Sequence, residues 1–232
     1  MELLVSLVIV TFLVGLSWVA LGKVREQAQG AVCANTLRQL GAATQLYLAD
    51  NRQVFFWYRR DIEAGVLWYF GLEPNFSKNL PEGERILDVK SGPLYPYFER
   101  TGMVKTCPAF SYNNAMVKPK FKGESFSYAF NKMLTDVNAL ALEAPSKVIV
   151  FGDSAYVTLL APASLTKPLL EEFNGIDATY KTIHFRHANR AQFVFADGHV
   201  ESMKLHPGTL ETRLRAANVG RITPVGSKEY LQ

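Results

Sequence analysis

From Leu3 to Leu21 the chain carries no charged side chain, and only Ser6, Thr11, Gly15 and Ser17 interrupt its apolar residues. A helix needs about 20 apolar residues to cross the hydrocarbon core of a bilayer, which is the length of this run. A helix that is apolar on every face has no use at the end of a soluble domain. Glu2 stands at the head of the run, where a carboxylate is costly unless a cation neutralises it. The first basic residue downstream, Lys23, lies about 30 Å along a helix axis, so the partner has to come from another chain. The segment therefore reads as a membrane-held helix with an assembly device at its tip. A cleaved secretory signal is the competing reading, because Ala20-Leu21-Gly22 has the small-x-small form. Against it, the run lacks a basic head and is longer than an ordinary signal core. Lys23 and Arg25 follow the run, which by charge alone would keep the body in the cytoplasm.

Helical character continues beyond Leu21. No proline occurs from Lys23 to Asp50, and Cys33, Leu37, Leu40, Thr44, Tyr47 and Leu48 fall on one stripe at helical spacing. The spacing predicts one helix of about 48 residues, or about 70 Å, with a stop at Asp50-Asn51. Roughly 180 residues then remain, enough for one domain with its own core. Three parts follow: a hydrophobic half-helix at 1–22, its amphipathic continuation at 23–50, and a globular head at 51–232. Residues 52–100 mix Phe55, Phe56, Trp57, Tyr58, Trp68, Tyr69 and Phe70 with prolines and glycines. They read as irregular loop with short helices, the aromatics serving as core. The second half reads as β structure. Ser125–Phe130 alternates, and Lys147–Phe151 is a β-branched run ahead of a turn at Gly152-Asp153-Ser154. In Ala191–Met203 two strand-like runs flank Asp197-Gly198, which predicts a hairpin with a two-residue type I′ turn. A short helix is expected from Thr209 to Ala217. The fold class is α+β, with the long helix packed on an antiparallel sheet.

The net charge of +4 is modest. Lys105, Lys118, Lys120, Lys122 and Lys132 form a loosely basic middle, read as a solvated surface with no specific nucleic-acid partner. The chain has no nucleophile elbow, P-loop or HExxH sequence, so no enzyme is expected and no cofactor is assigned. His184, His187, His199 and His206 gather around the hairpin in sequence. His187, Asp197 and Asp153 are the candidate metal ligands, but no close pair such as HxH supports them. The preferred reading has His187 bonding the Asp197 turn or a backbone carbonyl and so pinning the hairpin, with Asp153 a strand-end turn acid. Neither Cys33 nor Cys107 belongs to a CxxC pair, which argues against zinc. They are either two buried free thiols or, if the body lies outside the cytoplasm, one disulfide.

ELLVSLVIVTFLVGL followed by KVREQA resembles the N-terminal methylation segment of type IV pilins and type II secretion pseudopilins. CANTLRQLGAATQLYLADN resembles the continuation of that helix, and VKTCP, SFSYAFN, PSKVIVFGDS and RHANRAQFVFADGHV are similar to landmarks of one subclass. In the last, His187 precedes Asp197-Gly198 by the spacing that names the prepilin-type H-X9-DG class. The resemblance implies a pilin-like fold and a structural subunit, not a catalyst. Such a subunit is held in the bacterial inner membrane by a single pass with its head outside the cytoplasm. It then enters a periplasmic or cell-surface filament, as a homo- or hetero-oligomer with other pilin-like chains. Glu2 corresponds to the acid that pairs with a neighbouring subunit's N-terminal amine. The resemblance also implies a Cys33–Cys107 disulfide. The basic leader and its cleavage-site glycine and phenylalanine have no counterpart ahead of Glu2, so the start is expected upstream of Met1; prepilin peptidase is then a partner. The alternative function is a signal-anchored envelope protein that binds a metal or small ligand through His187, Asp197 and Asp153.

Overall fold

The computed structural model describes residues 2–101, 106–112, 114–123 and 127–232, with side chains outside 2–5, 8–9, 13–20 and 99–101. Met1 and the side chain of Glu2 lie outside the described residues, as do Lys105 and parts of VKTCP and SFSYAFN. Helix α1 (Glu2–Asp50) runs unbroken for 49 residues. It ends where the Asn51 side-chain amide donates to the Tyr47 carbonyl at 2.8 Å and Arg52 and Gln53 turn to positive φ. Among the described residues no helix is long and apolar enough to cross a membrane. Most side chains of the Leu3–Leu21 run lie outside them.

Strands β1 (Arg59–Ile62), β2 (Gly65–Trp68) and β3 (Gly71–Pro74) form a small antiparallel sheet. A short helix, α2 (Tyr95–Thr101), and β4 (Val117–Lys118) follow. Then come β5 (Tyr128–Asn131), β6 (Ile149–Asp153), β7 (Tyr156–Thr158), β8 (Leu169–Glu171) and β9 (Gly175–Ile176). The chain closes with β10 (Ile183–His184), β11 (Arg190–Phe195), β12 (Val200–Lys204) and β13 (Val219–Gly220). The class is α+β. The main sheet has five strands in the order β12-β11-β6-β5-β9. It is antiparallel except for β5 and β9, which pair parallel. The expected purely antiparallel sheet is thus mixed; the long excursion between β5 and β9 supplies the crossover that a parallel pair requires.

Both faces of the sheet are buried. Phe130, Phe151 and Val194 join the core under α1, whereas Ala129, Ile149, Phe193 and Phe195 join a second core on the far side. The predicted stripe of α1 faces the first core: Cys33, Leu37, Leu40, Thr44 and Leu48 are buried, with Tyr47 at the margin. Phe56, Tyr69, Phe130 and Phe151 pack ring against ring there, Phe56 and Phe130 with centroids 4.5 Å apart. Gly41 lets helix and sheet approach. A Cβ at that position would stand 2.8 Å from Val194 Cγ2.

Four further expectations change. Residues 59–74 are a three-stranded meander, not irregular loop. Asp153 ends inside β6, because that strand continues through Gly152. The expected helix from Thr209 to Ala217 is reduced to one turn of 3-10 helix at Arg215–Ala217. The basic middle is only partly a solvated face. Lys118 is buried and pairs with Glu171 at 3.4 Å, and Lys132 pairs with Asp177 at 2.8 Å.

Candidate functional site

The strands β6 and β11 lie side by side beneath α1, and their registers bring distant polar residues together. Asp153 pairs across from Tyr128, and Phe193 from Gly152. The Asp153 carboxylate is fully buried. Its Oδ1 accepts from Arg186 Nε at 3.1 Å and Nη2 at 2.8 Å. Its Oδ2 accepts from the Gln192 amide at 2.9 Å and lies 3.3 Å from His187 Nε2. Arg186 also donates to the Ser127 carbonyl at 2.6 Å. Burial alone would push the Asp153 carboxyl upward; the Arg186 guanidinium, His187 and the Gln192 amide outweigh it and hold the group below its ordinary range. An ionised carboxylate can only accept, so the proton shared with His187 sits on Nε2.

Cys33 on α1 and Cys107 are joined by a disulfide, their Cα atoms 5.3 Å apart. It ties the helix to the segment ahead of β5. The Cys107 amide donates to Ser127 Oγ at 2.8 Å, and Cys107 Sγ lies 3.4 Å from His187 Nε2. His187 therefore sits between the disulfide and Asp153. It enters on a two-residue turn: His187 and Arg190 exchange both backbone hydrogen bonds, and Ala188 and Asn189 between them have positive φ. That is the type I′ pattern. Glu26 of α1 accepts from the Ala188 amide at 2.8 Å, and Gln192 Nε2 donates to the Gly30 carbonyl at 2.8 Å. Both bonds clamp the turn to the helix.

The Asp197-Gly198 hairpin differs from expectation. Only Gly198 has positive φ, +91°, and its amide donates to the Phe195 carbonyl. This is a three-residue loop, a type I turn closed by a left-handed glycine, not a two-residue type I′ turn. Asp197 Oδ1 accepts from the His199 amide at 3.1 Å and lies 2.6 Å from His199 Nδ1, both residues exposed. The loop is tied to α1 by Gln45 Nε2, which donates to the Ala196 carbonyl at 2.8 Å.

His187, Asp197 and Asp153 therefore do not form one ligand set. His187 lies against Gly30, whereas Gly198 lies against Gly41. Those glycines are eleven residues apart (41 − 30), about 16 Å along the helix. His187 bonds Asp153 instead of the Asp197 turn. The other histidines disperse as well. His206 turns to its own Pro207 carbonyl, and His184 is buried near Arg186. Burial first, and the adjacent guanidinium second, push His184 down to about 3. Sequence reasoning missed Arg186, Gln192, Ser127 and Gly30. Arg186 stands beside His187, and Gln192 is the polar residue in a β11 run that the hairpin register turns toward the helix; those were the available signals.

No protein-family model, curated protein or solved structure matches the chain.

Proposed function

We propose that the chain is a pilin-like or pseudopilin structural subunit, anchored in a membrane by the first half of α1 and then drawn into a filament. The observation that carries this reading is the two-part character of α1. Its second half is bound to the body by a buried stripe, a disulfide and side-chain bonds. Ahead of that, Leu7, Val10, Phe12, Leu21 and Val24 are exposed on the same continuous helix, each by more than half. Apolar surface in water costs about 25 cal/mol per Å², so these side chains require lipid or neighbouring helices. The Cys33–Cys107 bond supports a body outside the reducing cytoplasm. Glu2, at the tip of the same helix, sets the register of packing by pairing with a cation from another subunit.

The test is the oligomeric state of full-length protein reconstituted in lipid vesicles, wild type beside Glu2→Gln. The reading expects assemblies that the amide weakens. A monomer indifferent to Glu2→Gln contradicts it.

A further inference from the structure

The disulfide, His187 and Asp153 together outline a cage. Cys33 Sγ, Cys107 Sγ and one ring nitrogen of His187 lie within 4.8 Å of one another, and all three residues are buried. A tetrahedral ion with bonds of about 2.3 Å to sulfur and 2.0–2.1 Å to nitrogen and oxygen needs sulfur–nitrogen edges of about 3.6 Å and nitrogen–oxygen edges of about 3.4 Å. Cys107 Sγ to His187 Nε2 is 3.4 Å, and His187 Nε2 to Asp153 Oδ2 is 3.3 Å. Two of the tetrahedron's six edges are therefore near their required lengths, while Asp153 lies outside the cluster that the two sulfurs and the ring nitrogen form and has to turn toward them. The sulfur–sulfur edge requires the sulfurs to separate to about 3.8 Å, which breaking their bond allows and which also frees them to move toward Asp153.

We propose that in its dithiol form the protein holds a divalent cation of the zinc type on Cys33, Cys107, His187 and Asp153, and that closing the disulfide expels it. Binding breaks two S–H bonds and moves the His187 proton from Nε2 to Nδ1. Two protons leave to solvent as the metal–sulfur bonds form, and no oxidation state changes. Among the described residues Nδ1 has no hydrogen-bond partner in the disulfide form, and it lies at a cleft lined also by Gly30, Gln192 and Glu26, where Gln192 Oε1 likewise has none among them. Expulsion needs an external disulfide. Its two sulfurs are reduced to thiolates as the Cys33–Cys107 bond forms, so both sulfur ligands are lost together.

Charge favours the exchange. With the ion bound, two thiolates and the Asp153 carboxylate balance the ion and Arg186. With the disulfide closed, Asp153 and Arg186 balance each other. Neither state leaves an uncompensated charge in the core, where one would be prohibitive. Two sulfurs, an imidazole and one carboxylate suit zinc and not magnesium or calcium. Two surface clefts reach the cage, one lined by Thr106, Cys107 and Phe110 and the other by His187 and Gly30. The inference does not rest on the filament reading, since it concerns the head and the body-bound second half of α1.

The experiment is a cobalt(II) titration of full-length protein in detergent, phosphine-reduced and disulfide-closed, with circular dichroism recorded on each sample. The reduced, folded protein is expected to take up one cobalt with thiolate-to-metal charge-transfer and tetrahedral ligand-field bands, both abolished by zinc. The disulfide form is expected to take up none. His187→Gln should weaken binding by about 100-fold or more, since even outer-shell partners of a metal ligand are worth about 10–100-fold. Cys33→Ser should halve the charge-transfer intensity and leave the ligand-field bands. The proposal is overturned if the reduced protein shows no thiolate–cobalt band, if it loses its fold on reduction in the presence of metal, or if His187→Gln binds as tightly as the wild type.

Discussion

Asp153 carries a full charge in a site closed to water, and its neighbours are arranged around that fact. Arg186 meets one oxygen twice, while the Gln192 amide and His187 meet the other. Replacing Asp153 by Asn keeps the shape and removes the charge, so Arg186 is left buried without its counter-ion. The expected loss is about 3–5 kcal/mol in urea unfolding at neutral pH. A loss below about 1 kcal/mol would mean that the pair is not closed in solution. His184 sets the acid limit. Its ordinary value is 6.5 and the fold lowers it to about 3, so between those values the unfolded chain holds a proton that the native protein does not. Stability from this group is complete above about 6.5 and falls with acidification, by up to about 1.4 kcal/mol per pH unit. Asp153, also lowered, adds its own loss further into acid, below the unfolded carboxyl value of about 3.9. His184→Asn should flatten the wild-type decline between pH 6 and about 4, read from thermal midpoints against pH.

At the scale of elements, the contact between α1 and β11 decides whether the helix is a strut or a tail. Gly41 permits it. Gly41→Ala would gain up to about 1 kcal/mol of helix propensity but forces a methyl against Val194, and overpacking of this kind costs about 1–3 kcal/mol. A net loss of about 1–2 kcal/mol is expected by denaturant midpoint; a gain would show that the helix sits further from the sheet. The disulfide acts on the same element. Its sequence separation of 74 corresponds to about 4–5 kcal/mol in the chain-entropy view, so metal-free reduced protein should melt well below the oxidised form. The helix itself was legible because its period repeats over many turns and no proline interrupts it. The hairpin strands were legible too, but the turns were not. The dipeptide Asp197-Gly198 suggested type I′ geometry, yet that geometry occurs at Ala188-Asn189. A turn type depends on the register of the strands it joins, and register depends on what α1 and β6 do on either side. The β1–β3 meander was illegible for a related reason: its aromatics serve a core shared with β5 and β6, so they lack the simple alternation of a sheet with one wet face.

For the whole molecule, the candidate site is where sequence and structure diverge most. His187 and Asp153 were legible as unusual residues, but their partnership was not, because thirty-four positions separate them (187 − 153). The third ligand expected beside them, Asp197, belongs to a different part of the helix contact. Cys33 and Cys107 gave no metal signal by spacing, and only the fold places them beside His187. The body and the first half of α1 also answer different questions. In the body the buried Asp153, Glu73 and Lys118 are ion-paired, and residues on both faces of the main sheet join hydrophobic cores. The exposed apolar residues of α1 lack such cover, and the account rests on what supplies it.

The most direct measurement is chemical cross-linking through that half-helix. Both cysteines of the chain are already bonded to each other, so a new thiol would be the sole reactive one in the native protein. Leu7→Cys, Val10→Cys and Phe12→Cys, each in full-length protein reconstituted in lipid vesicles, would be treated with a short bifunctional maleimide. The account predicts dimers and larger ladders that detergent dissolution abolishes and Glu2→Gln diminishes. Monomer alone at all three positions would contradict it.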